Sequence, residues 1–506
     1  MNLAHIIDGH APDHVAIISR GVETTYGQLR DQVARVRGGL AKLGIGEGDR
    51  IALLCGNGLC FVETYLAAVG LGAVVVPMNP QSPAPEIAQE IATVGAKAVV
   101  VEPAAAAAWN GVDRAAIPTL RYVIAAERGP VEAGPIKAGT VEADTSYDDL
   151  VAADPHDVVD VDPDMLALLI FTSGTAGSPR AAMLSHGNLL ANIGQGRSAA
   201  GRIEADDIVY GVLPMFHIFG LNVVLGQSLY RGATVVLVQR FDPSTALDTI
   251  RERGVTVIPG APPLWLAFSH FDDAPADSFA SVRLALTGAA KMPEEAIRRL
   301  QDRFGLQLAE GYGLTEAGPV VTSSAGLPIK VGSVGKVLDG IAVRLVDEDG
   351  DDVLEGDAGE IWVKGPNVFQ GYLDDREQTA RVLTDDCWLR TGDIAVTDDD
   401  GYLFLVDRAK DLIIVSGFNV YPAEVEGVIA EHPAVAEVGV AGVPHPHTGE
   451  AVKAWVVTRD GMPVDEDTLI AWCTERLARY KSPSKILFVD QLPRNVSGKL
   501  LRRSLM

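Results

Sequence analysis

Residues 168–193 read LLIFTSGTAGSPRAAMLSHGNLLANI. A strand-like apolar run ends at Phe171, and a loop of Thr, Ser and Gly follows. Ser185–His186–Gly187 then leads into a helix-like stretch. Small residues such as Gly174 and Gly177 let backbone N–H groups approach an anion closely. The hydroxyls of Thr172, Ser173 and Thr175 add donors, and Arg180 adds a charge-assisted contact. This set suits a polyphosphate. It is not a Walker loop, because GxxxxGK[ST] occurs nowhere in the 506 residues. Standing alone, the stretch reads equally well as a surface loop.

Three further polar loops share this character. One is Thr287–Gly288–Ala289–Ala290–Lys291, and another is Trp388–Leu389–Arg390–Thr391–Gly392–Asp393. Between them lies Glu310–Gly311–Tyr312–Gly313–Leu314–Thr315–Glu316. There Tyr312, between two glycines, can stack on a flat ring. Glu316 supplies a hard oxygen for a Mg²⁺ bound to phosphate. Taken singly, each loop is more often a turn than a site.

The elements that carry these loops alternate along the chain. Short β-branched runs at 51–54, 73–76, 166–171, 234–238, 255–258 and 283–287 are separated by helix-like stretches at 26–43, 243–253 and 293–304. That alternation predicts layered α/β structure with largely parallel sheets. Residues 104–149 are rich in Ala, Gly and Pro and read as variable surface structure. From Asp339 the texture changes to short strands at 343–346, 359–364 and 402–406 with Asp/Gly turns, a small β-barrel-like subdomain. After Asp407 a compact α+β unit follows, with helices at 422–431 and 465–477 and strands at 435–443 and 451–457. The expected division is an N-terminal domain at 1–407, a hinge at 408–412 and a small mobile C-terminal domain at 413–506.

Composition excludes some classes. A net charge of −25 and a pI near 4.7 argue against a general nucleic-acid binder. The same field repels anionic substrates, so positive charge must be local. Residues 476–506 have that bias, with eight Lys or Arg against Asp490. Four scattered cysteines and no CxxC pair suit a reducing setting. The N-terminus shows no basic segment followed by an apolar run, so the expected location is the cytoplasm. The longest apolar stretch, 65–77, is too short and Gly-rich to span a bilayer. Peripheral membrane contact is compatible with this composition.

In order, the chemical stretches carry a resemblance. TYGQL (25–29), TSGTAGSPRA (172–181), LPMFHIFG (213–220), GYGLTE (311–316), TGD (391–393), DRAKDLIIVSGFNVYPAEVE (407–426) and PRNVSGKLLRR (493–503) resemble the adenylate-forming superfamily, of acyl-CoA synthetase type. They span nearly the whole chain. The resemblance implies activation of a carboxylic acid as an acyl-adenylate with ATP and Mg²⁺, then transfer of the acyl group to coenzyme A.

The resemblance also implies roles. The 172–180 loop, with Thr172, Ser173, Gly174, Thr175, Gly177 and Arg180, would cradle the β- and γ-phosphates. Gly288, Ala289 and Ala290 would line the adenine, with Tyr312 stacked on it and Glu310, Gly311 and Gly313 beside it. Thr315 would meet the α-phosphate, and Glu316 would hold the metal. Asp393, helped by Arg408, would take the ribose hydroxyls. His217 would stand between the carboxylate site and the thiol tunnel, and Gly417 would line that tunnel. Lys499 would serve adenylation, and Lys410 would be the hinge. Ala176, Arg180 and Ala181 depart from the usual TSGTTGxPKG, which implies slower adenylation rather than none.

Coenzyme A is favoured as acceptor because Ser416–Gly417–Phe418 resembles the glycine stretch of the pantetheine tunnel. The basic end of the chain is a second, weaker pointer. An acyl carrier protein is the alternative partner, and a homologue that binds ATP without turnover is a further reading. The acid pocket is expected at 217–220, 260–263 and 317–320, apolar stretches with no basic residue. They suggest an aliphatic, probably fatty, acid first. An aromatic acid is the runner-up, because GYGLTEAGPVV resembles plant-type aryl-CoA ligases.

Overall fold

The computed structural model describes residues 1–126, 141–172, 180–195, 201–347, 349–354, 356–408, 413–415, 418–420, 422–445, 449–477, 481–494 and 500–505. Two large sheets dominate the first 340 residues. The seven-stranded sheet runs in the order Thr145–Ser146, Tyr122–Ala125, Ala98–Val101, Arg50–Leu54, Val74–Pro77, Leu166–Thr172, Arg180–Ser185. All its neighbours are parallel except the last pair. The nine-stranded sheet is parallel from Val15–Ser19 through Thr234–Leu237, Ile208–Gly211, Val257–Gly260 and Leu284–Thr287 to Leu308–Gly313. Antiparallel strands close both edges.

The parallel strands are buried on both faces, as their continuous apolar runs require. Val74, Val75 and Val76 are at most 2% exposed, and Ala98 to Val101 are fully covered. Helix Tyr26–Lys42 begins in a capping box. The Thr25 hydroxyl accepts the Gln28 N–H, and the Gln28 side chain accepts the Thr25 N–H. The TYGQL motif therefore has a local structural reason. Helix Pro243–Arg253 starts at the Asp242 cap and ends at Gly254 in the left-handed region.

One sequence expectation fails here. Tyr122–Ala125 lies inside the stretch expected to be variable surface, yet Val123 and Ile124 are fully buried in the seven-stranded sheet. The Ala and Pro content around three β-formers, Tyr122 to Ile124, hid them. Residues 127–140 of that stretch lie outside the described residues.

The small subdomain is a four-stranded antiparallel sheet, Ala342–Val346, Gly359–Lys364, Leu389–Thr397 and Leu403–Arg408, in open sequential order. Its Ile361, Val363, Leu389 and Ala395 belong to the core that also holds Tyr312 and Leu168. The C-terminal unit builds a separate core on the long hairpin Val435–His445 and Gly449–Thr458, covered by helices Pro422–Ala430 and Glu466–Thr474. Among the described residues, no helix is long and apolar enough to cross a membrane.

Among the described residues, four cations of the basic end pair with acids of the same unit. Lys481 pairs with Glu424, Lys485 with Glu466, Arg494 with Glu437 and Arg502 with Glu426. These described cations neutralise acids of their own unit, which weakens them as a pointer to a nucleotide.

Candidate active site

A cavity of about 940 Å³ opens where the two large sheets and the small sheet meet. Strand ends deliver its walls, the expected place for a ligand in open parallel sheets. Thr172 and Arg180 come from the seven-stranded sheet. Gly288, Ala289, Gly311, Tyr312, Gly313, Thr315 and Glu316 come from the nine-stranded sheet. Asp393 comes from the small one.

The Gly288–Ala289 turn is tight. Ala289 sits at φ +71°, a left-handed backbone that a non-glycine residue adopts at a cost. A Cβ on Gly288 would lie 3.3 Å from the Phe219 ring, so only glycine leaves that contact unstrained. Gly313 is more constrained, because a Cβ there would lie 2.0 Å from the Pro319 carbonyl oxygen. The backbone crossing thus dictates the second glycine of GYG. Ala290 does not reach the lining.

Tyr312 is 8% exposed, and its hydroxyl donates to Asp393 Oδ2 at 2.7 Å. The expected ring-stacking residue and the expected ribose acid are therefore in direct contact. Asp393 is held by its N–H on Thr391 Oγ1, and the next strand leaves in register with Arg408.

Glu316 lies on the short turn Thr315–Ala317, and its carbonyl accepts the Phe369 N–H at 2.9 Å. Its carboxylate Oε1 accepts the Tyr372 hydroxyl at 2.6 Å. Tyr372 is in turn fixed because residues 370–373 run beside strand Arg180–Ser185, with Met183 N–H on the Gly371 carbonyl and Leu373 N–H on the Ala181 carbonyl. Burial, followed by the Glu316 charge, pushes the Tyr372 phenol far up, so it stays a donor. The Arg180 guanidinium lies 5.8 Å from the Tyr372 ring centroid, and its Nε is 3.5 Å from Asp375 Oδ2. Arg180 thus lines the cavity while anchored to its wall.

His217 is reached by a loop that Asn57 organises from the other sheet. The Asn57 amide donates to the carbonyls of Gly211, Leu213 and Val238, and its oxygen accepts the Met215 N–H. The His217 Nδ1 accepts the Phe219 N–H at 3.2 Å, which puts the neutral ring's proton on Nε2. Burial lowers its pKa, so the imidazole is neutral at physiological pH.

Glu310 departs from expectation. Its carboxylate does not line the cavity. It alternates with Ala309 and Gly311, which do, and it takes backbone hydrogen bonds from Met292 and Gly332. Burial pushes it up to about 7, against the pull of those N–H groups and of Lys291. It supports the 288–292 loop from beneath. Likewise the 260–263 stretch stays out of the cavity, with Trp265 of the following helix donating to the Leu286 carbonyl at 3.0 Å. Pro319 and Val320 do line it.

Ser173, Gly174, Thr175, Gly177, Lys410, Gly417 and Lys499 lie outside the described residues, as does the Arg408 side chain. Tyr372 and Asn57 belong to no motif. Only the long-range pairing shows them, and nothing local in the sequence marks them.

The residues present fit the expected groups. A buried carboxylate beside a tyrosine, under a strained small-residue turn, suits a nucleoside. No cluster of three or more metal-ligating side chains exists among the described residues. Mg²⁺ needs none, since one carboxylate plus substrate phosphates and water satisfies it. Glu316, oriented by Tyr372, would be that carboxylate. When bound, the ion offsets the charge that builds as one anion attacks another.

Comparison with known proteins agrees. The family model for AMP-binding enzyme matches residues 7–373, and that for the AMP-binding enzyme C-terminal domain matches 424–499. The chain is 37% identical to a feruloyl-CoA synthase of Amycolatopsis sp, over 97% of this chain and 95% of that one. It is 35% identical to 4-coumarate–CoA ligase 5 of Oryza sativa subsp. japonica, over 96% and 89%. The ATP-bound structure of MatB from Rhodopseudomonas palustris superposes with a TM-score of 0.90 at 31% identity, covering 100% of this chain and 98% of that one. On this match and this site, the chain belongs to the AMP-binding enzyme family of adenylate-forming proteins, as an acid–thiol ligase that uses ATP, Mg²⁺ and coenzyme A.

Proposed function

We propose that the acid is aromatic, an arylpropenoate or a close relative. The aliphatic acid expected from the pocket stretches becomes the second choice. Support comes from the likeness to the feruloyl-CoA synthase, which extends over 97% of the chain. The apolar lining agrees with it. Phe219, Val223, Pro319 and Val320 face a cavity whose other walls include Gly288, Ala309 and Gly311.

In this reading Thr172 and Arg180, with the 173–177 loop, hold the terminal phosphates. Gly288, Ala289 and Tyr312 hold the adenine. Asp393 and Arg408 hold the ribose, Thr315 meets the α-phosphate, and Glu316 carries the metal. His217 Nε2–H points to the reacting carboxyl, and Lys499 offsets the charge that builds there. Gly417 lines the thiol tunnel. The domains divide at 1–407, 408–412 and 413–506, consistent with the gap between the two matched segments.

The test is a panel of acids with coenzyme A, read by mass spectrometry of the thioesters. Cinnamate and its hydroxylated forms are expected to exceed saturated C6–C12 acids in kcat/KM by at least tenfold. A preference for the saturated chains overturns the aromatic reading. Pyrophosphate exchange without any thioester would point instead to an acyl carrier protein as acceptor.

A further inference from the structure

Phe219, Val223 and Gln227 all line the cavity. They lie four residues apart on the continuous helical run formed by Phe219–Gly226 and Gln227–Arg231. That spacing puts them on one face. The first two are apolar and the third carries an amide. Gln227 is half-buried, and its side chain has no hydrogen-bond partner among the described residues. Beside the apolar Phe219 and Val223, this half-buried amide offers both a donor and an acceptor to a ligand's polar atom in place of water.

The position along the wall matters. Phe219 directly follows the His217–Ile218 turn, beside the expected reacting carboxyl, while Gln227 sits eight residues further. At an α-helical rise the eight residues would span about 12 Å, and the wider π-helical turns of Phe219–Gly226 shorten that somewhat. An arylpropenoic acid with its carboxylate near His217 reaches a comparable distance with its para substituent. The end of helix His186–Gly194 closes this region. Gly226 abuts the Ile193 side chain so closely that a Cβ would lie 2.8 Å from it. Gln195, just beyond that helix, also lines the cavity, but its amide is already bonded to Asn192 and to the Asp339 carbonyl. On this face, among the described residues, the amide without a hydrogen-bond partner is that of Gln227.

We propose that Gln227 is the specificity-determining residue for the distal end of the acid, and that it selects acids carrying a para hydroxyl. The inference rests on the aromatic reading above. The side-chain carbonyl accepts the phenolic O–H, or the NH₂ donates to the phenolic oxygen. One net hydrogen bond is worth about tenfold in kcat/KM.

The test compares 4-hydroxycinnamate with unsubstituted cinnamate in the full-length wild type and in Gln227→Leu and Gln227→Glu. The wild type is expected to favour the hydroxylated acid by about tenfold. Gln227→Leu is expected to bring that ratio near one, by losing activity on the hydroxylated acid while keeping it on cinnamate. Gln227→Glu, which retains an acceptor, is expected to restore part of the preference. A ratio unchanged in Gln227→Leu overturns the assignment. So does a wild-type ratio near one, with both aromatic acids still turned over, and there the aromatic reading survives. If neither aromatic acid is turned over while saturated acids are, both readings fall.

Discussion

Glu310 offers a quantitative check on the placement of the site. Its carboxyl is 7% exposed, and burial lifts it from 4.5 to about 7. An acid whose folded-state pKa is raised takes up a proton on folding. Its contribution is complete below pH 4.5 and is lost as pH rises through 7. A shift of about 2.5 units corresponds to about 3 kcal/mol of stability withdrawn between those limits. For the segment matched by the main family model, residues 7–373, the unfolding entropy is about 0.8 kcal/mol/K. The loss then equals about 4 °C in midpoint. Gln at 310 keeps a carbonyl acceptor for Met292 or Gly332 and cannot ionise. Matched thermal scans of wild type and Glu310→Gln from pH 5 to pH 9 are expected to diverge, the variant gaining about 3 °C relative to wild type, because about a quarter of the loss already lies below pH 5. Glu90, also raised to about 7 by burial, is common to both proteins and cancels. A constant offset between the two curves would refute the reasoning, since it would mean that Glu310 does not ionise within its buried site.

Three further outcomes follow from the site. Glu316→Gln is expected to raise the Mg²⁺ concentration needed for adenylation, and Tyr372→Phe to raise it by roughly tenfold through loss of one hydrogen bond to that carboxylate; Mg²⁺ titrations of pyrophosphate exchange measure both. Lys499→Ala is expected to lower adenylate formation by about 10²-fold or more while leaving thioester formation from supplied acyl-adenylate largely intact; an equal loss in both halves would remove it from the first step. Lys410→Pro is expected to keep pyrophosphate exchange and lose most acyl-CoA production. Proline fixes φ and would deny the proposed hinge one of its two orientations.

Much of the scaffold was legible because local chemistry and global packing agree. The Asp242 cap and the Gly254 stop bracket helix Pro243–Arg253 as the sequence suggests. The apolar run ending at Phe171 is a strand buried at Ala167 to Ile170. The motif residues Gly288, Tyr312, Thr315, Glu316 and Asp393 converge on one cavity although they span more than a hundred positions. The failures have a common physical source. Reading EGYGLTE as a block overlooks the alternation of a strand, which turns Glu310 away while Ala309 and Gly311 face the ligand space. Asn57 acts on the His217 loop across 158 residues, and Tyr372 reaches Glu316 across 56. Such contacts are set by sheet pairing and leave no periodicity behind. Three β-formers, Tyr122 to Ile124, were too few to outweigh the alanines around them.

The contact between Tyr312 and Asp393 joins a strand of the nine-stranded sheet to one of the four-stranded sheet. A carboxylate offers about four lone-pair positions, so a nucleoside's hydroxyls can share Asp393 without evicting the tyrosine. A nucleotide held there as proposed would be a rivet through two plates that already touch. Whatever free energy its binding supplies is felt at the seam by both sheets together. Supply of the nucleotide would thus set the lifetime of the fold along that seam as well as the pace of its chemistry.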